Sequence, residues 1–188
     1  AKALLFLGAG SIAHGTGDKR DIREMGGLWK RMPVTSITFG IGRLSLGGIP
    51  PLSGFFSKDE ILYRTFLSNR WLWGLAVLTA AMTAFYMFRV VFLAFFGCPP
   101  AHDTRPHDPP MTMALPLWVL AALSLGVGLY FTVAGPALPF GPAGPEFESP
   151  AWLMPTAVGA AVGGILLAWL TYQRRAIDAG ALAGGFGP

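Results

Sequence analysis

The distribution of charged residues limits what this chain can fold into more than any other feature of its sequence. Between Trp71 and Tyr172 the charged residues are only six, namely Arg89, Asp103, Arg105, Asp108, Glu146 and Glu148. Five of them lie in two proline-rich interruptions, and the stretches that remain are apolar over lengths that can cross a bilayer. The sequence therefore predicts an integral membrane protein and excludes a water-soluble enzyme, a nucleic-acid-binding protein and a disordered tail.

The composition of the whole chain supports the same class. Its 188 residues include 14 basic and 10 acidic side chains, so that 13% are charged, against about 25% in an average soluble domain. The net charge of +4 comes from basic residues in short loops, where they are typical of topology signals. The single cysteine, Cys98, excludes an internal disulfide bond and a cysteine-based metal cluster. Because the chain also lacks the glycine fingerprint of a dinucleotide site, we expect it to hold no cofactor.

The apolar runs predict an all-α fold, a polytopic membrane helix bundle in which one helix is discontinuous. We expect one transmembrane region over residues 1–188. Its segments are a truncated helix at 1–13, a cytoplasmic loop at 14–33, a broken helix at 34–67, helices at 71–97, 113–134 and 151–172, and a polar tail at 173–188. In the last helix Gly159 and Gly163 form a GxxxG pair with Gly164 beside it, a pattern that suits close helix packing.

Glycine and proline residues predict the position of the break in the discontinuous helix. Gly47, Gly48, Pro50 and Pro51 lie together in an apolar stretch. The two prolines remove two N–H donors, and their rings clash with the preceding turn, so a helix cannot continue through them. A membrane tolerates such a break only where protein or a water-filled cavity surrounds the freed backbone groups. We therefore expect two half-helices, at about 34–47 and 53–67.

The basic residues of the loops predict the orientation of the bundle. If the spans alternate, the loops at 14–33 and 97–112 share one face with the tail. The basic residues of that face are Lys19, Arg20, Arg23, Lys30, Arg31, Arg105, Arg174 and Arg175. The opposite face has Arg70 and at most Arg64 in addition, so the first face is predicted to be cytoplasmic.

Basic residues at membrane depth are candidates for function, because an ionisable group in the apolar core is costly. The apolar run at 3–13 has 11 residues, which cover about half of a roughly 30 Å hydrocarbon core. Lys2 would then lie near the middle of the membrane. The alternative is that Lys2 is a surface lysine at the start of the chain. Arg43 and Arg89 are weaker candidates, and Arg89 lies close enough to the cytoplasmic end to reach a headgroup.

Lys58 is the strongest candidate, because it follows the break closely and is adjacent to Asp59. A lysine and an aspartate beside a broken helix can exchange a proton through water, and broken helices at membrane depth commonly line ion paths. The alternative is a capping box, in which Ser57 is the N-cap of the second half-helix and Glu60 is its N3 residue.

Three sequence blocks resemble one family, the L-type antiporter-like subunit of the proton-pumping NADH:quinone oxidoreductase, respiratory complex I. They are KALLFLGAGS at 2–11, MGGL at 25–28 and GIPPLSGFFSKDEIL at 48–62. The resemblance implies that the chain is a fragment from the second half of such a subunit. Helices of the same subunit that precede it and the lateral helix that follows would lie outside this sequence. Arg43 departs from the pattern, since the family usually has a small residue there.

The resemblance also implies roles and partners. Lys2 matches the central lysine of the family's proton axis, and Lys58 and Asp59 match a Lys–Asp pair on the broken helix, on the proton exit side. The expected partners are other membrane subunits of complex I and the lipid bilayer, with no nucleic acid, in a bacterial plasma membrane. Redox chemistry would occur in other subunits, and this chain would contribute proton translocation. The alternative is the large subunit of a multi-subunit sodium/proton antiporter, which shares this helix plan and both lysines.

Overall fold

The computed structural model describes residues 1–18, 21–22, 25–97, 106–134, 150 and 152–173. Within these ranges the helices are α1 (Lys2–Gly15), α2 (Leu28–Arg31), α3 (Pro33–Gly47), α4 (Ser53–Ser68), α5 (Arg70–Val90), a π-helical segment (Val91–Phe95), α6 (Met111–Ala134) and α7 (Leu153–Tyr172). The same residues contain no strand. The prediction of an all-α bundle with one discontinuous helix is confirmed. The loop predicted at 135–150 and the tail at 173–188 lie almost entirely outside the described residues.

Within the described residues, three helical stretches are long and apolar enough to cross a membrane. They are Arg70–Phe95, Met111–Val133 and Leu153–Tyr172, with mean hydropathies of 1.8, 1.9 and 1.8. Large apolar side chains such as Leu75, Leu115 and Leu166 point away from the bundle and are exposed. Such a surface suits lipid acyl chains, so the chain is a multi-pass membrane protein. Which side of the membrane each loop occupies stays a prediction.

Helix α3 receives its N-terminal cap from a distant part of the chain. The N–H groups of Val34 and Thr35 donate to the two carboxylate oxygens of Asp108, each over 3.3 Å. The Thr35 hydroxyl donates to the same carboxylate, also over 3.3 Å. Pro33 occupies the first turn, where its missing N–H leaves no bond unmade. Asp108 thus fixes the start of α3 to the segment that precedes α6.

Helix α3 ends where the glycines and prolines predict. Gly48 adopts a left-handed conformation with φ 79°. Its N–H donates to the Ser45 carbonyl over 3.1 Å, and the N–H of Ile49 donates to the Leu44 carbonyl over 3.2 Å. These two bonds satisfy carbonyls that a helix end would leave unpaired, as in a Schellman motif. The chain passes Pro50 and Pro51 before α4 begins.

Helix α6 packs directly against the break. It contacts α1, α3 and α4. At Gly128 a Cβ atom would overlap the Pro51 carbonyl oxygen and would lie 2.7 Å from the Ser53 nitrogen. Only a glycine permits this approach of helix to backbone, so α6 covers part of the backbone that the break leaves outside a helix.

Helices α5 and α7 form the most extensive helix pair of the described bundle. At Gly164 a Cβ atom would overlap the Ala81 carbonyl oxygen of α5, whereas Gly159 and Gly163 have no atom of another element within 4 Å. Gly164 therefore makes the close contact. The GxxxG pair that the sequence suggested for close packing faces away from the described neighbours.

Candidate functional site

A cavity of about 290 Å³ lies where α1 meets the break between α3 and α4. It is lined by Ala1, Lys2, Ser45, Leu46, Ser53, Gly54, Ser57 and Lys58. Lys2 and Lys58, which the sequence analysis identified as two independent candidates, thus line the same cavity. One water molecule needs roughly 10–15 Å³ of such space, so the cavity has room for several, and its lysine and serine side chains offer them hydrogen bonds.

Lys58 bridges the two halves of the discontinuous helix. It lies on α4 and is half-buried, and its Nζ donates to the carbonyl of Gly47, the last residue of α3, over 3.4 Å. The carbonyl end of a helix carries partial negative charge, which attracts the ammonium group of the lysine. A Cβ atom at Gly48 would lie 2.9 Å from Lys58 Cδ, so the glycine also leaves room for the lysine side chain.

Asp59 occupies a different environment from its neighbour. It is half-buried and does not line the cavity. Its Oδ1 atom is buried and has no hydrogen-bond partner within the part of the chain that the structure describes. Successive helical residues are turned by about 100°, so two neighbours cannot point into one small space. Lys58 and Asp59 accordingly do not pair with each other, and the direct exchange suggested by their adjacency would need intervening water.

The capping alternative for Ser57 and Glu60 is wrong. Helix α4 begins at Ser53, with Leu52 at the N-cap position. Ser57 lies inside the helix, where its hydroxyl donates to the Gly54 carbonyl over 3.1 Å. Glu60 forms an ion pair with Arg64, 3.0 Å apart and one turn later on the exposed side of α4. The cluster therefore does not start the helix.

Lys2 is the first residue of α1 and has an exposed side chain at the cavity. Helix α1 is held in place by Leu4, which is fully buried, and by the approach of Gly42 on α3. A Cβ atom at Gly42 would lie 3.2 Å from Leu4 Cδ2, so the two helices are close here. This contact places Lys2 beside the break. Its depth in a membrane stays a prediction.

Serine hydroxyls connect the cavity to α6, and the sequence reasoning missed them. The Ser45 and Ser53 hydroxyls lie 3.2 Å apart, and the Ser53 and Ser124 hydroxyls lie 3.3 Å apart. The N–H of Gly54 donates to the Ser45 hydroxyl over 3.2 Å. A hydroxyl both donates and accepts, so such a row can pass a proton along its bonds. The sequence feature that could have predicted this row is the presence of serines on both sides of the break, within otherwise apolar helices.

The site combines the amines of Lys2 and Lys58, a row of serine hydroxyls, and a cavity large enough for several water molecules, all beside the break between α3 and α4. These groups can hold and transfer protons. The sequence also matches a protein family over this region: residues 1–83 match the transmembrane family described as NADH:quinone oxidoreductase/Mrp antiporter. Chain 5 of the NAD(P)H-quinone oxidoreductase of Picosynechococcus sp. is 40% identical over 98% of this chain and 34% of its own length.

The chain belongs to the family of antiporter-like subunits of NADH:quinone oxidoreductase. Other members of this family show similar agreement. The chloroplastic NAD(P)H-quinone oxidoreductase subunit 5 of Nephroselmis olivacea is 37% identical over 100% of this chain and 32% of its own length. The NADH-quinone oxidoreductase subunit L of Campylobacter jejuni is 43% identical over 69% of this chain and 22% of its own length. This antiporter-like chain thus spans at most 34% of the length of these three relatives.

Proposed function

We propose that this chain is part of a proton-translocating membrane subunit of NADH:quinone oxidoreductase. Lys2, Lys58 and Asp59 would relay protons, and the movement would be coupled to quinone reduction elsewhere in the complex. One observation carries the proposal beyond family membership. Two lysines from different helices line one cavity, which lies against a break in a membrane helix.

Physical chemistry favours a relay over a passive charge at Lys58. A charge at membrane depth is costly unless it has a partner or a cavity. Lys58 has both, namely the Gly47 carbonyl and the space shared with Lys2. A lysine can release its proton within a protein, whereas an arginine keeps its proton under all ordinary conditions. The site therefore provides a group that can change charge, in contact with space for water.

The bond from Lys58 to Gly47 links the protonation of the lysine to the arrangement of the break. An ammonium group is attracted to the carbonyl end of α3, and this attraction weakens when the amine becomes neutral. Release of the proton would therefore loosen the tie between α3 and α4. We propose that this change alters access between the cavity and the next group of the relay.

Asp59 is proposed as that next group. Its buried Oδ1 atom needs a hydrogen-bond donor, and a proton or a water molecule can supply one. Because Asp59 is turned by about 100° from Lys58, it would receive protons on an adjoining side of α4. The row from Ser45 through Ser53 to Ser124 offers a second way out of the cavity.

The proposed setting is the one that the relatives' names indicate. These names describe subunits of NADH-quinone and NAD(P)H-quinone oxidoreductases. We propose that this chain assembles with other membrane subunits of such a complex, and with further helices and a lateral helix of its own subunit. We also propose a bacterial plasma membrane as its place; this rests on the expectation from the sequence, since one of these relatives is chloroplastic.

The proposal is tested by measuring pumping and electron transfer in the same native membrane vesicles. K58A and K2A should each lower the number of protons moved per NADH oxidised, while the amount of assembled complex stays normal. K30A is the matched control, because Lys30 is an exposed lysine on α2. Normal pumping in both K2A and K58A would contradict the relay.

The description of the matched family supports a second candidate function, sodium/proton exchange. This description also names the Mrp antiporter. The corresponding alternative from the sequence is that this chain belongs to the large subunit of a multi-subunit sodium/proton antiporter. Vesicles that contain the chain would then move protons in response to a sodium gradient without NADH. Proton movement that requires NADH and is indifferent to sodium would exclude this alternative.

A further inference from the structure

Arg43 is a buried cation that the proposed relay does not use. It lies on α3 with 5% of its surface exposed. Its Nη1 atom donates to the carbonyl of Met87 on α5, and its guanidinium lies 4.2 Å from the centroid of the Phe39 ring. Among the described residues no carboxylate pairs with Arg43. A buried arginine without an acidic partner is costly, so its contact with the Met87 carbonyl requires an explanation.

Met87 lies where α5 changes its winding. It is the fourth residue from the end of the α-helical part, and the π-helical segment at Val91–Phe95 follows directly. A backbone carbonyl oxygen has two lone pairs, so the Met87 carbonyl can accept a hydrogen bond from Arg43 beside any bond that it makes within its own helix. The arginine therefore ties α3 to the point on α5 where the π-helical segment starts.

The face of α3 that carries Arg43 also carries Gly47, because residues four apart lie on one side of a helix. A Cβ atom at Gly47 would lie 3.9 Å from Phe88 Cε2, so Gly47 also faces α5. Arg43 thus contacts Met87, and Gly47 faces the next residue of α5, Phe88. The carbonyl of Gly47 is the acceptor for the Lys58 amine.

We propose that Arg43 is a positioning residue for Lys58. It holds the last turn of α3 against α5, and this keeps the Gly47 carbonyl where the Lys58 amine reaches it. Placement of the break by Arg43 follows from the contacts alone. An effect of Arg43 on proton movement rests in addition on the proposed function.

The placement is tested by labelling a cysteine in the cavity. S57C is introduced together with C98S into the subunit in native membranes, and the rate at which the subunit reacts with a charged methanethiosulfonate is measured against the variant that carries C98S alone. R43Q and R43M remove the charged donor, and R43M keeps the length that packs on Phe39. Both should change the labelling rate by at least about threefold, as expected for the loss of a charged hydrogen bond. R43K keeps a charged donor and should restore most of the original rate.

The matched control is R89Q. Arg89 lies two residues after Met87 on α5, but it is exposed and lies over the Tyr172 ring of α7, 5.5 Å from its centroid. R89Q should leave the labelling rate of S57C unchanged. Equal rates in R43Q, R43M and the parent would overturn the proposal. So would failure of both R43Q and R43M to assemble while R43K assembles, because Arg43 would then be needed for the fold as a whole.

A second arm connects Arg43 with proton movement. R43Q should lower the protons moved per NADH oxidised, and R43Q combined with K58A should pump no less than K58A alone. A further loss in the double variant would show that Arg43 acts independently of Lys58 and would overturn the positioning role. If K58A itself pumps normally, the proposed relay fails, and the labelling rates still decide whether Arg43 places the break.

Discussion

The amine of Lys58 donates a hydrogen bond to the carbonyl of Gly47, and this bond joins the two halves of the discontinuous helix. The donor lies on the second turn of α4, and the acceptor is the last residue of α3. Neither group would have this partner in a continuous helix, where the Gly47 carbonyl would bond to the backbone one turn later. The break therefore creates the place in which the lysine resides.

Gly48 should be needed both for the turn and for the lysine. G48A forces a side chain into a left-handed conformation, which costs about 1–2 kcal/mol, and its Cβ atom would press on Lys58 Cδ. We expect a lower melting temperature of the complex and fewer protons moved per NADH. G40A is the matched control on α3, since Gly40 has no atom of another element within 4 Å. Similar behaviour of G48A and G40A would refute this account of the turn.

Gly128 should be essential for packing α6 on the break, and its neighbour Gly126 should not. G128A would place a methyl group onto the backbone at Pro51 and Ser53, at a cost of about 1–3 kcal/mol for overpacking. Gly126 has open space around it, so G126A should be tolerated. The comparison is the amount of subunit that resists proteolysis in native membranes. Equal resistance of the two variants would show that α6 can move away from the break at little cost.

Gly164 should determine how closely α7 approaches α5. G164A would push a methyl group against the Ala81 carbonyl, again at a cost of about 1–3 kcal/mol. G163A, one residue away, meets no atom of another element and serves as the control. Thermal inactivation of quinone reduction by the solubilised complex is the readout. A larger effect of G163A than of G164A would mean that the GxxxG face, and not Gly164, makes the important contact.

Asp108 should stabilise the first turn of α3. D108A removes the acceptor for the N–H groups of Val34 and Thr35, and loss of such a cap costs about 0.5–2 kcal/mol. D108N keeps an acceptor oxygen and should lose less. Hydrogen exchange of the peptide that contains Val34 and Thr35, measured by mass spectrometry, should accelerate in D108A. Unchanged exchange in D108A would show that the helix start does not depend on this carboxylate.

The discontinuous helix could be predicted from the sequence because glycine and proline act through local geometry. Gly48 and the pair Pro50–Pro51 disfavour a helix whatever surrounds them. The capping-box spacing shows the limit of local patterns. Ser57 and Glu60 have that spacing, yet α4 begins at Ser53, where the glycine and proline residues of the break predict it. Burial of Phe55 and contacts with α6 outweigh the local preference.

Contacts between distant segments could not be read from the sequence in the same way. The approach of Ser124 to Ser53 and of Arg43 to Met87 depends on how α3, α4, α5 and α6 pack together. The sequence shows that Arg43 lies in an apolar stretch, but it does not show which carbonyl group accepts a hydrogen bond from it. Likewise, three glycines in α7 suited close packing, and only the packed helices show that Gly164 faces α5.

Lys58→Arg gives the most direct test of the relay, because arginine keeps the positive charge but does not release its proton. Proton pumping and NADH oxidation are measured together in native vesicles that carry Lys58, K58A or K58R, and assembly is quantified in parallel. The account predicts that K58R assembles normally and pumps as poorly as K58A. Full pumping by K58R would show that Lys58 supplies only a fixed charge at the break, and would contradict its role in carrying protons.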